Sequence, residues 1–327
     1  MPANVDSMFS VREMPWHREG TVLDQHPTTW EEARPLAGLD WDVITETVYE
    51  LVTVDAHGQP HYAPVEGWQR FAHSKTGKTL WISRDSYELI GMAEMGEIMH
   101  VVLKQPNLLW ETGGSIDGGR QVWCLVLLDE PIQLPGDSSF TLPYMALTNR
   151  FGQAGGCTLR ATAVRIVCGN TFRAAELEGE RTGATYSFIH KRNWREHLED
   201  ARLAVTGARQ EFKDYQEWAT ELLGIRVTPP QRELFVREFI PMPPEGLVTD
   251  RVARNVEEAR KAVRGILASP TTEPVAHTAY GLVQAAGEYL DHVRRSRSWE
   301  TKLNRTLIKP EPLKAQALKL VREVVLA

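Results

Sequence analysis

The sequence predicts an α+β fold: a strand-rich, antiparallel N-terminal and central part followed by a helical C-terminal half. Two observations carry this. Between Trp41 and Cys168, β-branched and aromatic residues gather in short runs bounded by Gly, Pro, Asp and Asn, the pattern of strands joined by turns. Beyond Cys168 the spacing of apolar residues changes from two to about 3.6 and stays there, the pattern of amphipathic helices.

Taken in order, the first segment with a helix signal is 28–37. Thr28 or Thr29 can cap its first turn, and Gly38 can take the left-handed conformation that ends it. The residues before it read as an arm. Strands are expected over 43–53, 67–71, 79–83, 107–112, 120–128 and 159–168, with one helix over 86–102 between them. The clearest hairpin joins 108–112 to 121–125 through the glycine-rich run 113–119, whose glycines suit a tight turn. In the helical half, Trp194, Leu198, Ala201, Val205 and Ala208 mark one apolar face, and Phe212, Tyr215, Ala219 and Leu222 mark the face of a following helix. Thr228-Pro229-Pro230 starts a third, because Thr caps and Pro suits the first turn. Pro241-Met242-Pro243-Pro244-Glu245-Gly246 cannot continue a helix and reads as a linker, beyond which helices are expected over 250–268, 277–295 and 312–326. The expected organisation is an arm and short helix over 1–40, a β-rich domain over 41–185, a helical extension over 186–240 and a helical region over 247–327.

Of the 327 residues, 42% are hydrophobic and 24% charged, which is normal globular composition. No stretch reaches the ~20 apolar residues of a membrane span, and residues 1–11 lack a signal-peptide pattern, so a cytoplasmic protein without a membrane partner is expected. Cys124, Cys157 and Cys168 are odd in number and have no CxxC spacing, which predicts reduced thiols. Charge is unevenly spread. Residues 1–156 carry 10 Lys/Arg against 21 Asp/Glu, net −11, whereas residues 157–327 carry 27 against 22, net +5. Such a contrast suits an anionic partner for the second half, or docking of one end of the chain on a neighbouring copy.

Four local patterns bear on chemistry. Ala72-His73-Ser74-Lys75-Thr76-Gly77-Lys78-Thr79 nearly fits a phosphate-cradling loop, but Leu80-Trp81-Ile82-Ser83 reads as a strand where that loop needs a helix, so a hairpin turn is expected and no nucleotide cofactor. Cys168 ends a strand just before Gly169-Asn170-Thr171. A thiol there could act as a nucleophile with His190 or His197 as base, giving a polar site of Arg165, Cys168, Asn170, Thr171 and His190, although a strand-end Cys also serves as a small apolar filler. His190 and His197 lie two helical turns apart, too far for one ion, so no metal site is expected. Finally, Lys191, Arg192 and Arg195 surround Trp194, and Arg294, Arg295 and Arg297 precede Trp299. Cations for phosphates beside aromatic faces for unpaired bases suit a single strand. Trp194 lies on an apolar helix face, however, and Glu196, Glu199, Asp200, Asp291 and Glu300 are near enough in sequence to neutralise these cations.

Several stretches resemble, in order, a phage/plasmid-like protein family whose central region is a domain of unknown function. They are Met8-Phe9-Ser10-Val11-Arg12-Glu13-Met14-Pro15-Trp16-His17, the glycine-rich hairpin with Val122-Trp123, Val164-Arg165-Ile166-Val167-Cys168-Gly169-Asn170-Thr171, Tyr186-Ser187-Phe188-Ile189-His190 leading to Asn193-Trp194, and Ala279-Tyr280-Gly281 with Glu288-Tyr289-Leu290-Asp291-His292. The chain departs from the family pattern at Arg18-Glu19-Gly20 and Ile189-His190-Lys191. The resemblance implies a mobile-element setting and brings no reaction with it. The expected function is non-specific single-stranded DNA binding with strand annealing, by a homo-oligomer. The alternatives are an enzyme built around Cys168, Asn170 and His190, and a host-interaction protein using the acidic half.

Overall fold

The computed structural model describes residues 5–11, 20–104, 108–152, 156–165, 170–172, 185–191, 193–296, 301 and 312–326. Among these the strands are β1 (Val5–Val11), β2 (Thr21–Leu23), β3 (Val43–Val54), β4 (Pro60–His73), β5 (Thr79–Arg84), β6 (Leu109–Ile116), β7 (Gln121–Leu127), β8 (Ile132–Gln133), β9 (Phe140–Arg150), β10 (Cys157–Arg165), β11 (Asn170–Phe172) and β12 (Thr185–Phe188). The α-helices are α1 (Trp30–Leu36), α2 (Met92–Leu103), α3 (Leu198–Gly224), α4 (Pro229–Phe239), α5 (Asp250–Leu267), α6 (Ala279–Glu288) and α7 (Pro312–Leu326). The fold is α+β, with antiparallel sheets in the N-terminal and central part and helices in the C-terminal half. Two compact units form: Met1–Leu127, Met145–Arg160 and Thr185–Val205 make the first, and Leu128–Tyr144, Ala161–Ala184 and Thr206–Ala327 the second.

In the first unit one sheet runs in the order β10-β9-β7-β6-β1-β2, with β12 also on β10, and a second has the order β3-β4-β5. The segment expected as an arm is therefore partly strand: β1 pairs antiparallel with β6 and parallel with β2, and buries Met8, Phe9 and Val11. The glycine-rich run also differs from its expected role. Gly113 and Gly114 belong to β6, and the turn is only Asp117-Gly118-Gly119-Arg120. A Cβ on Gly114 would lie 2.4 Å from the Ser7 carbonyl oxygen and 2.7 Å from Trp123, so glycine here permits the close approach of β1, while Gly118 at φ +64° and Gly119 at φ +84° make the turn.

Helix α1 starts as expected, with Thr29 Oγ1 accepting from Glu32 N–H, and its Trp30 donates Nε1–H to the Met92 carbonyl at 2.6 Å. Helix α2 begins six residues later than the sequence suggests. Residues 85–90 leave the helical path because Ile90 N–H bonds to His190 Nδ1 and the Ile90 carbonyl to Asn149 Nδ2, contacts that no local pattern encodes. Strand β9, where the sequence reading places none, buries successive residues from Thr141 to Leu147. A strand covered on both faces has no period-two signature.

The second unit carries α4 to α7 and most of α3, together with β8 on the start of β9 and β11 on the end of β10. The two helices expected over 194–222 are a 3-10 turn, Trp194–His197, and one continuous 27-residue helix α3. Ala201, Val205, Ala208, Phe212, Tyr215, Ala219 and Leu222 repeat at alternating spacings of four and three, so a single apolar stripe runs unbroken past Gly207. Thr228, Thr249 and Thr278 cap α4, α5 and α6. Helix α6 is the central one, buried from Ala279 to Gly287, and Tyr280 Oη meets Tyr215 Oη at 3.0 Å. Its Gly281 lies under the loop before it: an added Cβ would be 2.1 Å from the Val275 carbonyl oxygen. Gly281→Ala should destabilise the chain by about 1–3 kcal/mol through this overlap, seen as a lower urea midpoint with an unchanged slope.

Candidate nucleic-acid interface

In the second unit, Asn255, Glu258, Ala259 and Ala262 repeat at helical spacing along α5 and form one wall of a groove of about 420 Å³. Its other wall is Tyr289, Val293, Arg294 and Arg295. This wall follows from a change of helix type: after α6 the chain makes a π-helical turn, Tyr289–Val293, before Arg294 leaves it with extended backbone at φ −58°, ψ 123°. The wider turn sends Leu290 and Asp291 inward, where Asp291 Oδ2 accepts from Lys314 Nζ of α7 at 2.9 Å. Tyr289 and Val293, four apart, face the groove. Tyr289 is half-buried and braced edge-on by Phe239 at 6.3 Å, Arg294 is half-buried, and Arg295 is exposed. Among the described residues, two guanidinium groups, an amide, an aromatic ring and one carboxylate, Glu258, line this groove. Such a set can hold phosphate and offer a stacking face.

The other basic cluster is built differently. Trp194 is buried and meets Phe188 edge-on at 6.2 Å, so its face serves the core. Arg195 lies over that ring at 4.3 Å and forms a two-pronged pair with Glu97, at 3.1 and 2.9 Å, with Glu94 also 4.0 Å away. These carboxylates hold the Arg195 pKa above its ordinary value, the Glu97 bonds being the main cause. Lys191 is exposed. Arg192 and Arg297 lie outside the described residues, as does Trp299.

The sequence profile described as Domain of unknown function (DUF932) matches residues 79–308, well over half of the chain. The chain belongs to this family. No curated protein and no solved structure matches it. The DUF932 region starts at β5 and includes His190 and the groove residues Asn255, Tyr289, Arg294 and Arg295, whereas the whole β3–β4 hairpin precedes it.

Within the DUF932 region, His190 is buried in the first unit. Its Nδ1 accepts from Ile90 N–H at 3.1 Å, its ring stacks on Tyr87 at 4.9 Å, and Phe151 stands 6.2 Å away. With Nδ1 engaged as an acceptor, a neutral ring carries its proton on Nε2 and has no lone pair left for a thiol proton. Cys168 lies outside the described residues, as do the side chains of Arg165, Asn170 and Thr171; the Asn170 backbone pairs with Arg165. The two described cysteines, Cys124 and Cys157, are fully buried, and burial pushes both thiols well above their usual pKa.

Burial also lowers the His190 pKa from 6.5 to about 4, opposed by the backbone carbonyls of Arg150 and Glu88. Between these values only the unfolded chain takes up the proton, so stability falls as the pH drops from 6.5 towards 4 and is untouched above that window. At ~1.4 kcal/mol per pH unit, the loss at pH 5 is about 2 kcal/mol. Thermal unfolding of parent and His190→Gln at pH 7 and pH 5 checks this: the variant should lose the slope the parent shows, and equal slopes would remove His190 as its source.

Segment 72–79 is the turn of the β4–β5 hairpin, as the strand after it suggested. Gly77 N–H bonds to the His73 carbonyl, His73 N–H bonds to that of Lys78, and Gly77 takes φ +65°. Among the described residues no three His, Cys, Asp or Glu side chains gather to hold a metal ion, and no helix is long and apolar enough to cross a membrane. Sequence reasoning found Arg294 and Arg295 but not their groove partner Asn255, which lies on another helix and has no local signal. Tyr289 was legible only as part of the motif it shares with Asp291.

Proposed function

We propose that this chain is a phage- or plasmid-encoded DNA-metabolism protein that binds single-stranded DNA without sequence preference and, as a homo-oligomer, promotes annealing of complementary strands. The observation that carries the reading is the groove in which Arg294 and Arg295 stand beside Tyr289. Guanidinium groups neutralise phosphates whatever the base, and an aromatic face accepts any unpaired base, so the chemistry is binding without bond-making. The net charge of +5 over residues 157–327 supports the same half as the anion-binding one, and the −11 of residues 1–156 turns nucleic acid away from the other. The mobile-element setting rests on the family resemblance in the sequence. Fluorescence anisotropy of labelled single- and double-stranded oligonucleotides over a salt series tests the reading. Tighter binding of the single strand, weakening as salt rises, is expected. Absence of binding at low salt would end it and leave the two alternatives, an enzyme with a polar site around Cys168 or a host-interaction protein.

A further inference from the structure

The second unit holds another groove, of about 540 Å³, between α4, α5 and the segment that leads into α6. Arg264 and Leu267, which line it, lie on the far side of α5 from Asn255, Glu258, Ala259 and Ala262. Val236, Leu267 and Ala276 form its apolar floor. The backbone fixes its shape: Val227 N–H bonds to the His277 carbonyl at 2.9 Å and Ala279 N–H to that of Ile225 at 3.0 Å, tying the segment before α6 to the segment before α4. A preformed cleft of this size with an apolar floor and few polar groups suits a small molecule.

The charges of the groove divide into two kinds. Arg264 and Glu233 satisfy each other through two hydrogen bonds, at 3.0 and 2.6 Å, and Arg264 also bonds to Glu257 at 2.8 Å. Arg232 and Glu273 are left over. Arg232 stands one turn before Phe235 and Val236 on the buried face of α4, so its stem packs and its Nε is shut off from solvent without a hydrogen-bond partner. Glu273 opens the 3-10 turn Glu273–Val275 and is exposed. Among the described residues neither side chain makes a hydrogen bond or an ion pair, with the other or with any third group.

An enclosed guanidinium N–H without an acceptor is unfavourable, and an acceptor supplied by a ligand removes that cost. A cation and a carboxylate that line one cleft without meeting match a ligand that carries both charges. A phosphate dianion would face the carboxylates of Glu233 and Glu273; a carboxylate with an ammonium group beside it would not. His277, exposed at the rim, can bond to either end.

We propose that this groove binds a free α-amino acid with an apolar side chain, its carboxylate on the Arg232 guanidinium, its ammonium group on the Glu273 carboxylate and its side chain on Val236, Leu267 and Ala276. The site shares no residue with the proposed DNA groove and does not depend on it.

Calorimetric titration of the full chain with L-phenylalanine, 3-phenylpropanoate and 2-phenylethylamine provides the test, the second lacking the ammonium group and the third the carboxylate. L-phenylalanine should bind, and each analogue should bind weaker by about tenfold or more, the loss of one hydrogen-bonded charge. Arg232→Met keeps the packed stem and removes the guanidinium. Folded by circular dichroism, it should bind L-phenylalanine no better than the parent binds 2-phenylethylamine. Glu273→Gln, at an exposed position, should bind L-phenylalanine and 3-phenylpropanoate with nearly equal affinity. No binding at millimolar L-phenylalanine, an analogue that the parent binds as well as the amino acid, or a folded variant of either residue that behaves as the parent would each overturn the proposal. The DNA-groove variant Arg294→Glu/Arg295→Glu should bind L-phenylalanine as the parent does. A chain that binds the amino acid and no DNA, or DNA and no amino acid, therefore shows which of the two proposals has failed.

Discussion

Replacing Asp291 with alanine is expected to lower the stability of the chain by about 3–5 kcal/mol, one of the largest effects any single side chain here should produce. Asp291 and Lys314 are 1% and 2% exposed and 2.9 Å apart. Taking two charges out of water is costly, and their attraction offsets that cost only while both are present. Removing one leaves an uncompensated buried charge, so Lys314→Ala should be similarly damaging. Replacing both with apolar residues of like volume, Asp291→Leu with Lys314→Met, should recover most of the loss, because neither desolvation penalty remains. Urea unfolding of the parent, Asp291→Leu, Lys314→Met and the variant carrying both forms a double-mutant cycle. Additive losses would show that the two charges do not act as a pair. The pair also ties the π-helical turn Tyr289–Val293 to α7, so the single variants should weaken the groove wall that holds Tyr289, Arg294 and Arg295.

The second large effect concerns DNA affinity. Each phosphate that meets an arginine releases condensed counterions, and for single strands log affinity falls with log salt by roughly 0.7 per contact. If Arg294 and Arg295 make one contact each, Arg294→Glu/Arg295→Glu should shallow the salt slope by about 1.4 and weaken binding at 0.1 M salt by roughly 25-fold or more. The loss should be the same for every oligonucleotide sequence, since phosphate contacts carry no base code. Arg195→Glu is the control. Its guanidinium is already occupied by Glu97, so the salt slope should stay as in the parent. A folded groove variant with unchanged affinity and slope would remove Arg294 and Arg295 from the site.

What the residues declare locally and what they do not differ for physical reasons. The threonine caps of α1 and α4, and the apolar positions of α3, are set by neighbours within a turn or two and are read from the sequence; Thr249 and Thr278 cap α5 and α6 by the same local rule, at positions the sequence reading does not mark as caps. The β4–β5 turn is legible for the same reason: a strand follows Lys78 where a phosphate loop would need a helix. Strand β1 is not, because its partner β6 lies some hundred residues away, and β9 is not, because burial on both faces erases alternation. The site divides along the same line. The sequence marks two basic clusters of similar composition, and nothing local distinguishes them.

Only the tertiary fold brings Glu97 to Arg195 across 98 residues, and only it turns Asp291 inward to Lys314 so that the next arginines edge a groove with Asn255. Composition and periodicity determine fold class, caps and charge distribution because these depend on short-range sterics and hydration. Which carboxylates meet Arg195, and which helix stands opposite Arg294 and Arg295, depends on residues distant in the chain, and the fold decides it.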